Sequence, residues 1–379
     1  MTLHVAVAAA SDVGTVREHN EDSFVIGDLD AHELVELAAG ATWARASERG
    51  PLLVVCDGMG GVVGGEVASQ LAADVIWREM KATPPTKDPE VFARLLRRAT
   101  RVANHDVHAT ARKEPGLRGM GTTVSAAGVV GDRLIVATVG DSRAYVLRQG
   151  VLVQVTQDQS LASALLAAGH DEHEAANAGS AILQALGVGD DVEPSLSIIE
   201  LRRGDRVLLC SDGLHGLVTD PAIAVLLSAP HGVAESVALL VTAARAAGGS
   251  DNITAIVADV GGERLGPVID DDDLPEFREF DPQKEGDPAL TSTSYVARRL
   301  AARIGLPQPE SPPTIPVTGQ HAILRSRSSI RVPATALPIE DVEGPARARL
   351  ARRGQVVPAL IVAAIAVVAC AIAWVLGGR

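Results

Sequence analysis

Residues 52–56, "LLVVC", are apolar enough for a buried strand, and the chain sets Asp57 at its end, followed by Gly58, Gly60 and Gly61. The pattern recurs. "RVLLCSDGL" ends in Asp212-Gly213, "RLIVATVGDSRAY" carries Gly140-Asp141, "GGSDNITAIVADV" opens on Asp251-Asn252, and "GTVREHNEDSF" puts Glu21-Asp22 before a further strand. A single aspartate at a strand end is ordinarily a turn residue that hydrogen-bonds its own backbone. Repetition in one domain points elsewhere, because clustered carboxylates repel unless they are protonated or neutralised, and a pair of divalent cations neutralises them. No His or Cys stands at ligand spacing with these acids, and an oxygen-only donor set favours Mg²⁺, Mn²⁺ or Ca²⁺ over Zn²⁺. Gly58 would let a main-chain carbonyl approach an ion closely. Two cations sharing a carboxylate lower the pKa of a bridging water and clamp an in-line displacement at phosphorus. Arg17 is the nearest guanidinium able to offer a phosphate two parallel donors; taken alone, it reads as a surface salt bridge to Glu18 or Glu21.

These acids need strands to hold them. "SFVIGD", "LLVVC", "TTVSAAGVV", "RLIVATV", "AYVLRQG", "RVLLC" and "ITAIVADV" are short and rich in β-branched residues. Gly131-Asp132 between two of them predicts a hairpin, hence antiparallel neighbours. Apolar residues at three-and-four spacing predict helices over 65–80 and 90–112; Asp220-Pro221 reads as an N-cap and first-turn pair, and a helix over 233–247 stops at Gly248-Gly249. Hairpins with grouped helices imply an α+β layered domain, not a doubly wound parallel one.

Composition narrows the function classes. A net charge of −13 argues against binding a phosphate backbone, and 2% aromatic residues argue against stacking single-stranded nucleic acid, so no nucleic-acid partner is expected. Cys56, Cys210 and Cys370 each lie in an apolar run and read as reduced core thiols. The N-terminus lacks a basic stretch before its apolar residues, so no secretory signal is expected. Texture changes after residue 262: Asp270–Asp273, scattered prolines and Ser/Thr clusters over 263–354 read as a disordered linker. Val356–Leu376 is then an uncharged apolar run, which as a helix reaches roughly 30 Å, enough to cross a bilayer. Arg347, Arg349, Arg352 and Arg353 crowd its N-terminal side, and the positive-inside rule leaves everything before it in the cytoplasm. The expectation is therefore a 1–262 domain held at the cell membrane by a single-pass tail anchor over 356–376.

The set "REHNED" (17–22), "VCDGMGG" (55–61), "GTT" (121–123), "VGDSRAY" (139–145), "CSDGL" (210–214) and "SDNIT" (250–254) resembles the PP2C-type metal-dependent Ser/Thr protein phosphatases, and the bacterial branch especially, since Met59 stands where eukaryotic members usually have histidine. The resemblance covers about residues 5–260. It implies a four-layer α-β-β-α sandwich of two antiparallel sheets flanked by helices. It implies two Mn²⁺ or Mg²⁺ ions bridged by Asp57 and by the hydroxide that attacks the phosphoserine or phosphothreonine of a protein. Gly58 would lend its carbonyl to one ion, Asp212 and Asp251 would complete the second site, and Glu21 and Asp22 would act through bound waters. Arg17 would hold the substrate phosphate, Asp141 would contribute to a third metal, and Thr122 and Thr123 would pack or hydrogen-bond beneath the site. Membrane Ser/Thr kinases and their substrates are the expected partners. A phosphoprotein-binding scaffold of weak activity, or a phosphatase dedicated to one regulatory protein, are the competing readings.

Departures from the pattern are local. Met59 cannot donate a proton, residues 156–187 lack the His-Pro-x-x-Asn stretch of many bacterial relatives, and residues 28–50 are longer than the usual strand connection. "HDEHE", 170–174, is read as a solvated face, His215 as a structural histidine, and Ser142, Cys56 and Cys210 as non-catalytic.

Overall fold

In the computed structural model, residues 2–177, 181–270, 273–281 and 330–331 are described. The strands run, in chain order, β1 (Leu3–Asp12), β2 (Asp22–Asp28), β3 (Glu33–Leu34), β4 (Trp43–Ser47), β5 (Leu52–Met59), β6 (Gly121–Thr122) and β7 (Val124–Val130). They continue with β8 (Arg133–Val139), β9 (Arg143–Arg148), β10 (Val151–Gln154), β11 (Ser195–Glu200), β12 (Arg206–Cys210), β13 (Ile253–Gly261), β14 (Phe277–Glu279) and β15 (Ile330–Arg331). One sheet has the order β15-β10-β9-β12-β13-β1-β4, the other β14-β11-β8-β7-β5-β2-β3, and every pairing is antiparallel.

Side-chain alternation explains how the two sheets make three interfaces. On β5, Leu52, Val54 and Cys56 face helices α1 (Gly61–Lys81) and α2 (Pro89–Lys113), while Leu53 and Val55 face the other sheet. The central layer between the sheets gathers Leu3, Val5 and Val7 of β1 with Val207 and Leu209 of β12 and Ile256 of β13. Two short helices, α3 (Leu161–Ala167) and α4 (Glu172–Asn177), follow β10, and α5 (Asp212–His215) follows β12. On the far face of the first sheet, α7 (Val233–Ala246) packs on β1 and β13, with α6 (Asp220–Ser228) beside it. The two antiparallel sheets with flanking helices match the architecture expected from the sequence.

Local expectations met the structure closely where the chemistry was strong. Gly131 (φ 65°) turns the β7–β8 hairpin, pairing Val130 with Arg133. Asp88 caps α2 by accepting from the Glu90 and Val91 N–H groups, with Pro89 in the first turn. The α6 start differs by one residue: Thr219 is the N-cap, and Asp220 instead accepts from the Tyr145 hydroxyl at 3.0 Å. β1 was not anticipated, because Ala6, Ala8, Ala9 and Ala10 are poor strand formers and only its place between β13 and β4 makes it a strand.

Residues 28–50 carry the chain from one sheet to the other, β3 pairing with β2 and β4 with β1, and Val35, Leu37 and Trp43 pack against the central layer between them. The boundary at 262 requires correction. Residues 263–270 and 273–281, expected in the linker, pack on the domain: Leu265 enters the central layer, Leu274 and Phe277 lie against it, β14 pairs with β11, and Phe280 joins the core beneath α2. Average composition hides these apolar positions among acids, and Asp273 among those acids is bound by Arg148 and Arg202. The apolar run 356–376 and most of the remaining linker lie outside the described residues; among the described residues no helix is long and apolar enough to cross a membrane.

Candidate metal centre

The acids meet at one end of the sandwich. Asp57 lies near the end of β5 on the same face as Leu53 and Val55, so it points between the sheets, and Asp22 is its direct partner across the β2–β5 pair. The Gly58 N–H donates to the Glu21 carbonyl at 3.1 Å, locking the approach to β2 beside the end of β5. From the other sheet, Asp212 begins α5 with one residue between it and β12, and Asp251 stands two residues before the start of β13. Asp141 lies in the β8–β9 connection, reached through Gly140 at φ 95°.

A layer of hydroxyls and one amide holds these loops. Thr123 donates its N–H to the Asp57 carbonyl at 2.8 Å, Thr122 Oγ1 donates to the same oxygen at 2.9 Å, and Thr123 Oγ1 accepts from the Asp57 N–H at 3.0 Å. Buried Ser142 lies 2.6 Å from Thr123 Oγ1, so it is a strut beneath the acids. Asn252 staples three segments: its Oδ1 accepts from the Glu21 N–H at 2.8 Å, and its Nδ2 donates to the Val13 and His19 carbonyls at 3.0 Å each. Ser211 Oγ donates to Asp22 Oδ2 at 2.7 Å and accepts from the Thr254 N–H at 3.0 Å. Asn252 and Ser211 were not anticipated as site residues; the only signal was their position flanking Asp251 and Asp212. His215 is half-buried and donates from Nε2 to the Asp141 carbonyl at 3.0 Å, and desolvation pushes its imidazole down to about 4, so it is neutral.

Glycine is required where the segments touch. A Cβ on Gly58 would lie 2.1 Å from the Gly65 carbonyl oxygen, and one on Gly213 would lie 1.9 Å from that of Asn252. The first turn of α1 and the start of β13 are thereby drawn against the strand ends.

The carboxylates are poorly neutralised by the chain itself. Asp22 Oδ1, Asp141 Oδ1 and Asp212 Oδ1 are buried without a hydrogen-bond partner. Burial, then the charge of neighbouring acids, raises Asp22 and Asp141 to about 7, lifts Asp57 well above the usual carboxylate range and raises Asp212. Arg17 is the only cation of the expected set, and it pairs with Asp251 at 2.8 Å, with neither Glu18 nor Glu21. Orphaned oxygens, mutual repulsion and an all-oxygen donor set fit hard divalent cations. Among the described residues no group of three or more His, Cys, Asp or Glu side chains is arranged to hold an ion alone, so main-chain oxygen and water must complete any coordination shell.

The family model described as protein phosphatase 2C matches residues 17–256, a span that contains all of these acids and Arg17. The chain belongs to the protein phosphatase 2C family. Over 266 residues, 69% of its length, it is 41% identical to the serine/threonine protein phosphatase PstP of Mycobacterium tuberculosis, and the match spans 46% of that relative, about half its length. It is 32% identical over 255 residues to the serine/threonine phosphatase stp of Listeria monocytogenes, covering 66% of this chain and 93% of that one. A solved structure of the PstP catalytic domain with two manganese ions superposes with a TM-score of 0.57 at 39% identity, covering 69% of this chain and all of that one. Within this protein phosphatase 2C domain, "HDEHE" is an exposed stretch in which His170 pairs with Glu174 at 2.8 Å, and Cys56 and Cys210 are buried thiols.

Proposed function

We propose that the chain hydrolyses phosphoserine and phosphothreonine in proteins, with two Mn²⁺ or Mg²⁺ ions at the acid cluster. The observation that carries this reading is the convergence of Asp22, Asp57, Asp141 and Asp212, with three buried oxygens lacking a partner, at the end of the domain where Arg17 stands half-exposed. Asp57, the Gly58 carbonyl, Asp212 and Asp251 would hold the two ions; Glu21 and Asp22 would orient their waters, and Asp141 would serve a third. Bound there, such ions neutralise the developing charge at phosphorus and make water a nucleophile near neutral pH.

The chain's own residues do the positioning. Arg17 can turn its guanidinium from Asp251 to a phosphate, offering two parallel donors. Thr122, Thr123 and Ser142 fix the Asp57 main chain from below, and Asn252 fixes the loop carrying Arg17 and Glu21 through His19 and Glu21. Pre-set geometry of this kind supplies much of the rate in phosphoryl transfer. Met59 offers no proton, so the leaving serine or threonine oxygen takes its proton from water.

The apolar run 356–376 supports tethering of this domain to the cytoplasmic face of the cell membrane, with membrane Ser/Thr kinases and their substrates as partners. The deciding measurement is hydrolysis of a phosphothreonine peptide by the full chain with Mn²⁺, Mg²⁺ or chelator, beside Asp57→Asn. Activity that needs the cation and Asp57 is the expected result. A folded chain that binds Mn²⁺ and hydrolyses nothing would sink the enzymatic reading.

A further inference from the structure

Beside the acid cluster one apolar side chain stands in solvent and is held there. Val188 is 61% exposed. Single exposed valines are common on protein surfaces and ordinarily carry no message. This one sits in a turn pinned on both sides. Buried Asn104 of α2 accepts from the Gly187 N–H at 2.8 Å and donates through Nδ2 to the Gly189 carbonyl at 3.1 Å. His108, one turn further along α2, donates from Nδ1 to the Gly187 carbonyl at 3.0 Å. Leu186 exchanges main-chain hydrogen bonds with Thr122 at 2.8 and 3.0 Å, and Thr122 Oγ1 in turn donates to the Asp57 carbonyl. The turn that presents Val188 is therefore fixed to β6, the strand that supports Asp57.

The apolar neighbour of Val188 is Met59. Side-chain alternation puts Met59 on the face of β5 that carries Asp57, and it is only partly buried. It pairs across β5 and β6 with Gly121, where a Cβ would lie 2.9 Å from Val188 Cγ2 and 3.1 Å from Met59 Cε. With glycine there, both tips close over the same position and make one apolar surface, which runs from the residue next but one to Asp57 out into solvent. We propose that Met59 and Val188 form a shelf for an apolar side chain of the substrate protein, close in sequence to its phosphorylated residue. This rests on the hydrolytic reading above and adds a substrate preference to it. Val188 lies two strand spacings, about 10 Å, from Asp57, a span that two or three extended residues cover. A peptide whose phosphate is at the acids can therefore lay a leucine-sized side chain on the shelf. An aspartate at that place would exchange water for apolar atoms, which disfavours its charge.

The test uses the full chain with Mn²⁺ and a set of phosphothreonine peptides carrying leucine or aspartate at each of the three positions on either side of the phosphothreonine. Hydrolysis of p-nitrophenyl phosphate, which has no flanking residue, normalises each variant for folding and cation loading. At one position leucine should be favoured over aspartate by roughly tenfold in kcat/KM. The preference should lie mainly in KM, because the shelf is touched in the ground state and the transition state alike. Val188→Ser should shrink it to about twofold or less. Val188→Lys should turn it toward aspartate, a result that damage to the fold cannot produce. Equal rates on all the peptides, or a leucine preference that survives Val188→Ser, would overturn the shelf and leave the hydrolytic reading standing. A chain that hydrolyses neither the peptides nor p-nitrophenyl phosphate would overturn both.

Discussion

Two groups of buried aspartates sit in this one sandwich, and they are treated in opposite ways. Around Arg148, which is 2% exposed, Asp205 receives both Nε and Nη2 at 2.8 Å, and Asp273 receives Nη1 at 3.0 Å and the Arg202 Nε at 2.9 Å. Burial works against the charge of Asp273, yet the Ile269 N–H and the two guanidiniums outweigh it and hold its carboxyl below the usual range. At the acid cluster the few partners, Ser211 on Asp22 among them, do not outweigh burial: three oxygens are orphaned and four carboxyls titrate high. A carboxylate that the chain neutralises is architecture; one that it leaves charged and unpaired is waiting for something from outside. The difference lies in the partners, since residue type and depth are alike.

Removing a partner from the first group should break the contrast most severely. Arg148→Met strands Asp205 and Asp273, and chemical denaturation should reveal a loss of about 3–5 kcal/mol, whether or not cations are present. Asp57→Asn does the reverse: hydrolysis of a phosphothreonine peptide should fall by roughly 10²–10³-fold or more, while melting in chelator stays level or rises because one repelling charge is gone. The third effect is a slope. Asp22 and Asp141 titrate near 7 in the fold and near 3.8 when unfolded, so the folded state binds the extra protons and stability falls as pH rises between about 4 and 7. The melting temperature in chelator should drop by a few degrees from pH 5 to 7.5, and saturating Mg²⁺ or Mn²⁺ should flatten that decline. His215 opposes it, because a histidine held neutral adds stability as pH rises through its unfolded value; His215→Gln should steepen the decline. Asp273→Asn should cost the least, about 1–3 kcal/mol, and if it costs nothing the pairing of residues 263–281 with Arg148 is ornamental.

Legibility in the sequence followed the range of the interaction. Asp57, Asp212 and Asp141 were readable because each ends an apolar run beside glycine, a signal carried by adjacent residues. The β7–β8 turn was readable for the same reason, and the span of α2 from its three-and-four apolar spacing. Asn252 and Ser211 were not, since an amide and a hydroxyl act as staples only once Val13, His19 and Asp22 have been brought to them from some 190 to 240 positions away. The partner of Arg17 was misread locally as Glu18 or Glu21, although Asp251 lies far off in sequence and next to it in space. β1 is strand by neighbourhood and not by propensity, and residues 263–281 hid a few apolar anchors in an acidic, proline-bearing texture.

β13 lies in the interior of its sheet, between β12 and β1, although it is the last long strand to be made. Its pairing joins Asp12 to Ile253 and His4 to Gly261, contacts between residues some 240 to 257 positions apart. Such closures are slow to nucleate, because the intervening loop must surrender its freedom before any contact rewards it. During synthesis, the N-terminal two hundred residues can emerge with Asp22, Asp57 and Asp141 already present, yet Asp251 and the Asn252 staple arrive only with β13, the last long strand. An acid site divided in this way cannot be completed by any unfinished chain, so cation loading at the proposed site would report that β13 has closed into its sheet.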